Sequence, residues 1–290
     1  MAASELGKRV ASALVLAPVA VACVWFGDAA LASLLACASA AGAWEFYRMA
    51  SAGGARPFAR TGIAAAGLLP IVVHADARQV IDVKPVAGVL LALGLLGAAV
   101  WRRGVEGRPL VSVATTLMGV AYVAAPLATA YTLRNYPYAV GRAAGTAVLM
   151  LPVLATWASD VGAYFAGRAI GGPKLIPSVS PGKTVSGALG GLALAAAVAV
   201  AYEGLALKPY AQLAFAPWRG LLFGLLVSAA AQLGDTVESL LKRDAGVKDS
   251  SSLIPGHGGV LDRVDSLLFV LPVSQVVLGW LLIPALGVVR

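Results

Sequence analysis

Nine stretches of apolar residues recur along this 290-residue chain, at roughly 9–26, 29–49, 61–77, 85–101, 110–131, 145–167, 185–203, 217–241 and 264–288. Each has about the 17–25 residues that a helix needs to cross a bilayer. Backbone groups in hydrocarbon must be satisfied internally, which makes helices the natural solution. The pattern predicts an all-α, polytopic integral membrane protein of about nine transmembrane helices. The third stretch is the weakest, because Pro70, His74 and Asp76 interrupt it. Gly220-x-x-x-Gly224 is a small-xxx-small pair and predicts close helix packing. It says nothing about activity.

Composition agrees with the pattern. Hydrophobic residues make up 59% of the chain and its mean hydropathy is +0.84, against about 45–50% apolar residues in soluble domains. Such an excess, spread over the whole length, argues against a soluble protein with one anchor. Cys23 and Cys37 both fall in apolar stretches, which disfavours a disulfide framework. Lys8-Arg9 before an apolar run resembles the start of a secretory signal, but further apolar runs follow, and it is read as a retained first span.

Charge sets the orientation. With nine spans and a cytosolic N-terminus, 15 of the 22 basic residues fall on the cytosolic side, among them Arg48, Arg56, Arg102, Arg168, Lys183, Lys242 and Arg263. The same arrangement puts the loops at 168–184 and 242–263 on that face. The net charge of +8 is explained by this loop bias and by phosphate binding, so no nucleic-acid partner is expected.

Those two loops hold the chemistry. From Lys242 to Asp265 stand four basic residues, four aspartates and His257, in a chain with only 12% charged residues. On the eighth span, Asp235, Glu238, Ser239 and Lys242 recur at i, i+3, i+4 and i+7, on one helical face. Asp262, Asp265 and Ser266 open the ninth in the same way. An aspartate inside a membrane helix costs about 2.5–3.5 kcal/mol on insertion scales, so such residues normally face a polar cavity. Asp235 and Asp262 are the best candidates to hold a hard cation, since carboxylate oxygens suit magnesium. A blander reading pairs these acids with Lys242, Arg243 and Arg263, but so many charges beside a glycine-rich turn favour a site. Pro255-Gly-His-Gly-Gly259 supplies flexible backbone whose N–H groups are expected to form an anion-binding nest, with His257 in the middle of it. His74, alone in its stretch, reads as structural.

The sixth span adds Asp160, Tyr164 and Arg168 at i, i+4 and i+8. The next loop reads Ser180-Pro-Gly-Lys183-Thr184. It mimics the tail of a phosphate-binding P-loop, but the leading glycine would fall at Pro177 and no strand precedes it, so that motif is rejected. A lysine flanked by serine and threonine at a membrane surface still suits a phosphate. Trp44-Glu-Phe-Tyr-Arg48 has the look of an interfacial aromatic belt with a snorkelling arginine. Glu45 is out of place in such a belt and is marked as a candidate functional residue.

The run from Ser239 to Asp265 closely resembles the signature of the phosphatidate cytidylyltransferases, or CDP-diacylglycerol synthases. Their pattern, S-x-apolar-K-R-x4-K-D, then P-x-H-G-G, then D-R-x-D, is filled by Ser239, Lys242, Arg243, Lys248, Asp249, Pro255, His257, Gly258, Gly259, Asp262, Arg263 and Asp265. Upstream, Asp160-x-x-Ala-Tyr-x-x-Gly-Arg168 resembles the family's D-x-x-A-Y-x-x-G-R, and Ser180-Pro-x-Lys-Thr184 its S-P-K-K-T-x-E-G. There Gly182 replaces a lysine and Ser186 the glutamate. The resemblance covers residues 155–275 well, and before residue 140 only a series of spans is shared.

What the resemblance implies is a magnesium-dependent, multi-spanning and dimeric enzyme that condenses CTP with phosphatidic acid. The whole chain is then one membrane domain, residues 1–140 serving as scaffold and lipid access and 145–290 as catalytic helices. Asp235 and Asp262 would hold the magnesium, and a second cation would complete a clamp. Lys242, Arg243, Lys248 and Arg263 would neutralise the triphosphate, with Asp249, His257 and Asp265 in the same catalytic set. Lys183 would take the lipid phosphate. Asp160, Tyr164, Arg168, Ser180, Thr184, Glu238, Ser239, Gly258 and Gly259 would complete the substrate-binding set. A bacterial inner membrane, with the active site facing the cytosol, is the expected location. Two other readings compete: a CTP-dependent lipid-alcohol kinase, which would release CDP, and an ion-coupled transporter. The transporter would show two related halves with interrupted helices at mid-depth, and the sequence has no internal repeat.

Overall fold

In a computed structural model, the described residues are 2–82, 86–216 and 218–284. All nine apolar stretches form helices there, the ninth only as far as Leu281, after which 282–284 are a short strand: α1 (Ala2–Phe26), α2 (Asp28–Ala52), α3 (Ala59–Ala77), α4 (Val86–Arg102), α5 (Pro109–Gly119) running through a π-helical turn into α6 (Ala125–Arg134), α7 (Arg142–Ile170), α8 (Val185–Tyr202), α9 (Arg219–Asp244) and α10 (Leu261–Leu281). Pro85 and Pro217, which open two of the predicted spans, and residues 285–288 of the last lie outside the described residues. Seven helical segments among the described residues are long and apolar enough to cross a membrane. The shorter α4 has 17 residues, and α3, with its proline, histidine and aspartate, is not among the seven.

The chain divides into two compact units that interleave in sequence. The first comprises residues 1–131 and 241–264, the second 132–240 and 265–290. The signature segment 241–264 thus groups with the N-terminal helices.

In the first unit, α2 is the central helix. Leu31, Ala32, Ala43, Phe46 and Tyr47 are buried along it. Tyr47 is a large polar ring in an apolar core, and its hydroxyl is satisfied by donating to the Thr116 carbonyl at 2.6 Å. Room for the ring comes from Gly62 on α3 and Gly119 on α5, where any Cβ would overlap it. The Thr116 hydroxyl accepts from Phe58 N at 2.8 Å and donates to Ser112 O at 2.7 Å, fixing the entry into α3 against α5. His74 bonds the Tyr131 hydroxyl at 2.7 Å, the structural role expected of it.

In the second unit, α7 and α8 pack at backbone distance. A Cβ on Gly162 would lie 2.5 Å from the Gly190 carbonyl, and one on Gly187 2.9 Å from that of Ala163. Small residues permit this approach, which in a bilayer is a main source of helix association. Gly224 does the same for α9, where a Cβ would lie 2.5 Å from Ala196 Cα. The expected close packing at Gly220-x-x-x-Gly224 is therefore present. Polar ties run through the same contacts, with Ser159 and Ser228 hydroxyls 2.7 Å apart and Gln232 donating to the Ala188 carbonyl at 3.1 Å.

The loop between α7 and α8 is more ordered than its Pro- and Gly-rich sequence suggests. Two short strands, β1 (Lys174–Ile176) and β2 (Ser180–Thr184), pair antiparallel with Lys174 opposite Thr184. Gly171 and Gly172, at φ +67° and +102°, turn the chain out of α7 and into this hairpin. A second small pair joins β3 (Leu213–Phe215) to β4 (Leu282–Pro284).

Candidate active site

The second unit contains a cleft of about 740 Å³ lined by Asp160, Tyr164 and Arg168 of α7, Lys174, Lys183 and Thr184 of the hairpin, and Gln232 and Asp235 of α9. Six of these eight carry candidate roles from the sequence. Their convergence follows from local structure. Asp160, Tyr164 and Arg168 share one face of α7, where Arg168 donates to the Tyr164 hydroxyl at 2.9 Å. The hairpin folds back so that Lys183 reaches α9. Its ammonium lies 3.0 Å from Asp235 Oδ2, 2.8 Å from Thr236 Oγ1 and 3.3 Å from the Gln232 carbonyl. Ser239 donates weakly to Asp235 at 3.5 Å.

Thr184 has a second task. It is the N-cap of α8, its hydroxyl accepting from Gly187 N at 3.1 Å, one of the orphan donors of the first turn. Ser186 donates to the Gly171 carbonyl, tying the hairpin to the end of α7. Gly182 has nothing within 4 Å of where a Cβ would stand. Ser180 opens β2, and Glu238 is fully buried and does not line the cleft.

The first unit holds the signature loop. α9 ends at Asp244 because Gly246, at φ +68°, closes a Schellman-type cap in which Gly246 N donates to Arg243 O and Val247 N to Lys242 O. Arg243, Lys248, Asp249 and Arg263 are exposed around the loop. A tight turn follows, in which His257 N donates to Ile254 O and Ile254 N to Gly258 O, with Gly256 and Gly258 at φ +77° and +80°. The His257 ring lies 2.8 Å from the Ser12 hydroxyl of α1.

Asp262 gathers this loop. Its Oδ1 meets Lys242 Nζ at 2.8 Å, and its Oδ2 accepts from Ser250 N, Ser250 Oγ and Gly259 N at 3.0, 2.8 and 2.8 Å. The amides of His257 and Gly259 are therefore turned onto Ile254 and Asp262. The expected nest of glycine N–H groups is in part spent on holding the loop, because buried donors must find acceptors. Asp265, at the head of α10 in the second unit, accepts from Ser266 N at 2.6 Å.

The structure thus assembles Asp160, Tyr164, Arg168, Lys183, Thr184 and Asp235 in one unit, and Lys242, His257, Gly258, Gly259 and Asp262 in the other. Sequence reasoning missed one participant and marked another without giving its role. Gln232 lines the cleft without any motif to mark it. Glu45 lies under the loop, flagged only by its odd place in an aromatic run.

Comparison with known proteins agrees with the geometry. Residues 7–281 match the model of the cytidylyltransferase family. The chain is 35% identical to the phosphatidate cytidylyltransferase of Staphylococcus epidermidis over 216 residues, covering 74% of this chain and 78% of that protein. It is 44% identical to that of Bacillus subtilis over 128 residues (44% and 46%), and 50% identical to that of Brucella suis over 112 residues (39% of each). A cleft lined by charged side chains among membrane-spanning helices, the filled signature and a match over nearly the whole chain agree: the protein belongs to the cytidylyltransferase family.

Proposed function

We propose that the protein condenses CTP with phosphatidic acid, giving CDP-diacylglycerol and pyrophosphate, and that the cleft of the second unit receives the reacting phosphates. The observation that carries this reading is the Lys183–Asp235 pair, 3.0 Å apart and lining a cleft with Asp160 and Arg168. A cation and carboxylates at one opening match the two needs of nucleotidyl transfer, which are neutralised phosphate oxygens and a held metal.

The phosphatidate phosphate is ionised near neutral pH and needs no general base. Its oxygen attacks the α-phosphorus of CTP in line, the bond to the β-phosphate oxygen breaks, and pyrophosphate carries away the electron pair. Such transfers rest on positioning and charge stabilisation. In this cleft Lys183 and Arg168 supply positive charge, and Tyr164 holds the Arg168 guanidinium. The fit to magnesium is best at Asp235, whose side chain is 40% exposed and, among the described residues, bonds Lys183 and Ser239. Magnesium, when bound, would neutralise the triphosphate. Lys183 then trades its carboxylate partner for a phosphate oxygen, so no buried charge is left unpaired. In the first unit, the exposed Arg243, Lys248 and Arg263 are candidates to bind phosphate on their own account.

The bacterial relatives and the cytosolic bias of basic residues support placing the protein in an inner membrane with the cleft facing the cytosol. A homodimer, expected from the family resemblance, is tested by crosslinking in detergent. The reaction is tested with purified protein, radiolabelled CTP and phosphatidic acid, with and without magnesium. Lipid-soluble counts and an equal release of pyrophosphate, both dependent on magnesium, are expected. Release of CDP would instead identify γ-phosphoryl transfer to a lipid alcohol.

A further inference from the structure

A carboxylate far from the signature in sequence holds the signature loop in place. Glu45, on α2, is 0% exposed. Its Oε1 accepts from Ser251 Oγ at 2.5 Å and Val260 N at 2.9 Å. Its Oε2 accepts from Leu261 N at 2.7 Å and Ser250 Oγ at 3.1 Å. Leu261 is the first residue of α10, so the two amides are orphan donors at a helix N-terminus, where negative charge is also favoured by the helix dipole.

Two further contacts point the same way. A Cβ on Gly259 would overlap both Ser250 Oγ and the Glu45 carboxylate, so the loop closes on Glu45 only with glycine there. Ser250 Oγ also lies 2.8 Å from Asp262 Oδ2, which joins the Glu45 and Asp262 sets through one hydroxyl. A buried carboxylate with three donors of its own and a share in the Ser250 hydroxyl proton is costly to leave and costly to replace. It therefore specifies one loop conformation instead of merely tolerating it.

We propose that Glu45 is a positioning residue for cytidylyl transfer: by accepting from Ser251, Val260 and Leu261, and sharing the Ser250 hydroxyl proton with Asp262, it fixes the loop that presents Lys248, His257 and Arg263. The proposal rests on the functional reading above. Glu45 is not among the residues lining the cleft, so its loss should lower turnover while leaving substrate affinity nearly unchanged.

The test uses the full-length protein in detergent with Glu45→Gln, Glu45→Asp and Ser251→Ala. Glutamine keeps the shape but aims its NH2 group at two of the donors. For Glu45→Gln, kcat is expected to fall about 10- to 100-fold, the scale of a misplaced reacting group, with KM for CTP changed less than about threefold. Glu45→Asp should recover part of kcat and Ser251→Ala should lose only a small factor. A purely structural role would lower the melting temperature without that split in kcat and KM or that graded recovery. Hydrogen exchange read on peptides spanning 250–262 should quicken in Glu45→Gln and not in helices of the second unit. If Glu45→Gln fails to purify, Glu45→Asp and Ser251→Ala decide, and wild-type kcat in both overturns the proposal. Unchanged exchange in the loop also overturns it. A wild-type protein that makes no CDP-diacylglycerol defeats the functional reading instead, while the exchange measurement still decides whether Glu45 holds the loop.

Discussion

Lys183 Nζ on the hairpin and Asp235 Oδ2 on α9 stand 3.0 Å apart, with their side chains 22% and 40% exposed. The pair is poised between structure and chemistry. It is accessible enough for each member to exchange its partner for a phosphate or a cation, and close enough that each keeps the other in place meanwhile.

If the two act as one device, their removals should not add. Asp235→Asn is expected to cut kcat by at least about 10²-fold, the loss typical of a key electrostatic group, and to raise the magnesium needed for half-maximal rate. Lys183→Met should cost a similar factor. The double variant should be little worse than Asp235→Asn alone, as for contacting residues in one network. Fully multiplicative losses in purified enzyme would mean that the two serve separate steps.

The Lys242–Asp262 pair lies 2.8 Å apart as well, but with side chains only 14% and 5% exposed. Breaking a buried pair by removing one partner costs about 3–5 kcal/mol, whereas an exposed pair is worth about 1 kcal/mol or less. Asp262→Asn and Lys242→Met should therefore lower the melting temperature in detergent by many degrees, and Asp235→Asn by few. Asp262 reaches a cation only by letting go of Lys242. A magnesium requirement unchanged in folded Asp262→Asn would remove Asp262 from the metal.

How much of this was legible in the sequence follows from the range of the interactions. Helices answer to local hydropathy, and each of the nine apolar stretches is helical over most of its described length. The signature also lies within one short run, so Lys242, His257 and Asp262 stood out together. The β1–β2 hairpin did not. Its strands have three and five residues, too few for an alternating pattern, and its order comes from glycine turns and the Thr184 cap. Pairings between distant positions were invisible. Glu45 and Ser250 are 205 positions apart, and no periodicity encodes their contact. Only the cost of a carboxylate in an apolar helix hinted at Glu45, and that cost gives a reason to look without naming a partner.

Two glycines of the candidate set make opposite predictions. Gly259 lies where any side chain would overlap Ser250 and Glu45, and neither neighbour can withdraw, because both are tied to Asp262 or to the head of α10. Gly259→Ala should therefore push the loop off its carboxylates, leaving the protein less stable and nearly inactive. Gly182, where the family pattern has lysine, meets nothing within 4 Å, and its φ is not positive. Gly182→Ala should be neutral in melting temperature and within about twofold in kcat, the small effect usual for exposed sites without special contacts. Gly182→Lys adds a cation beside the cleft that Gly182 lines, and should lower KM for CTP at low salt while the effect fades as salt is raised. Equal losses in Gly259→Ala and Gly182→Ala would show that the carboxylate-held loop is no more constrained than the hairpin, against this reading.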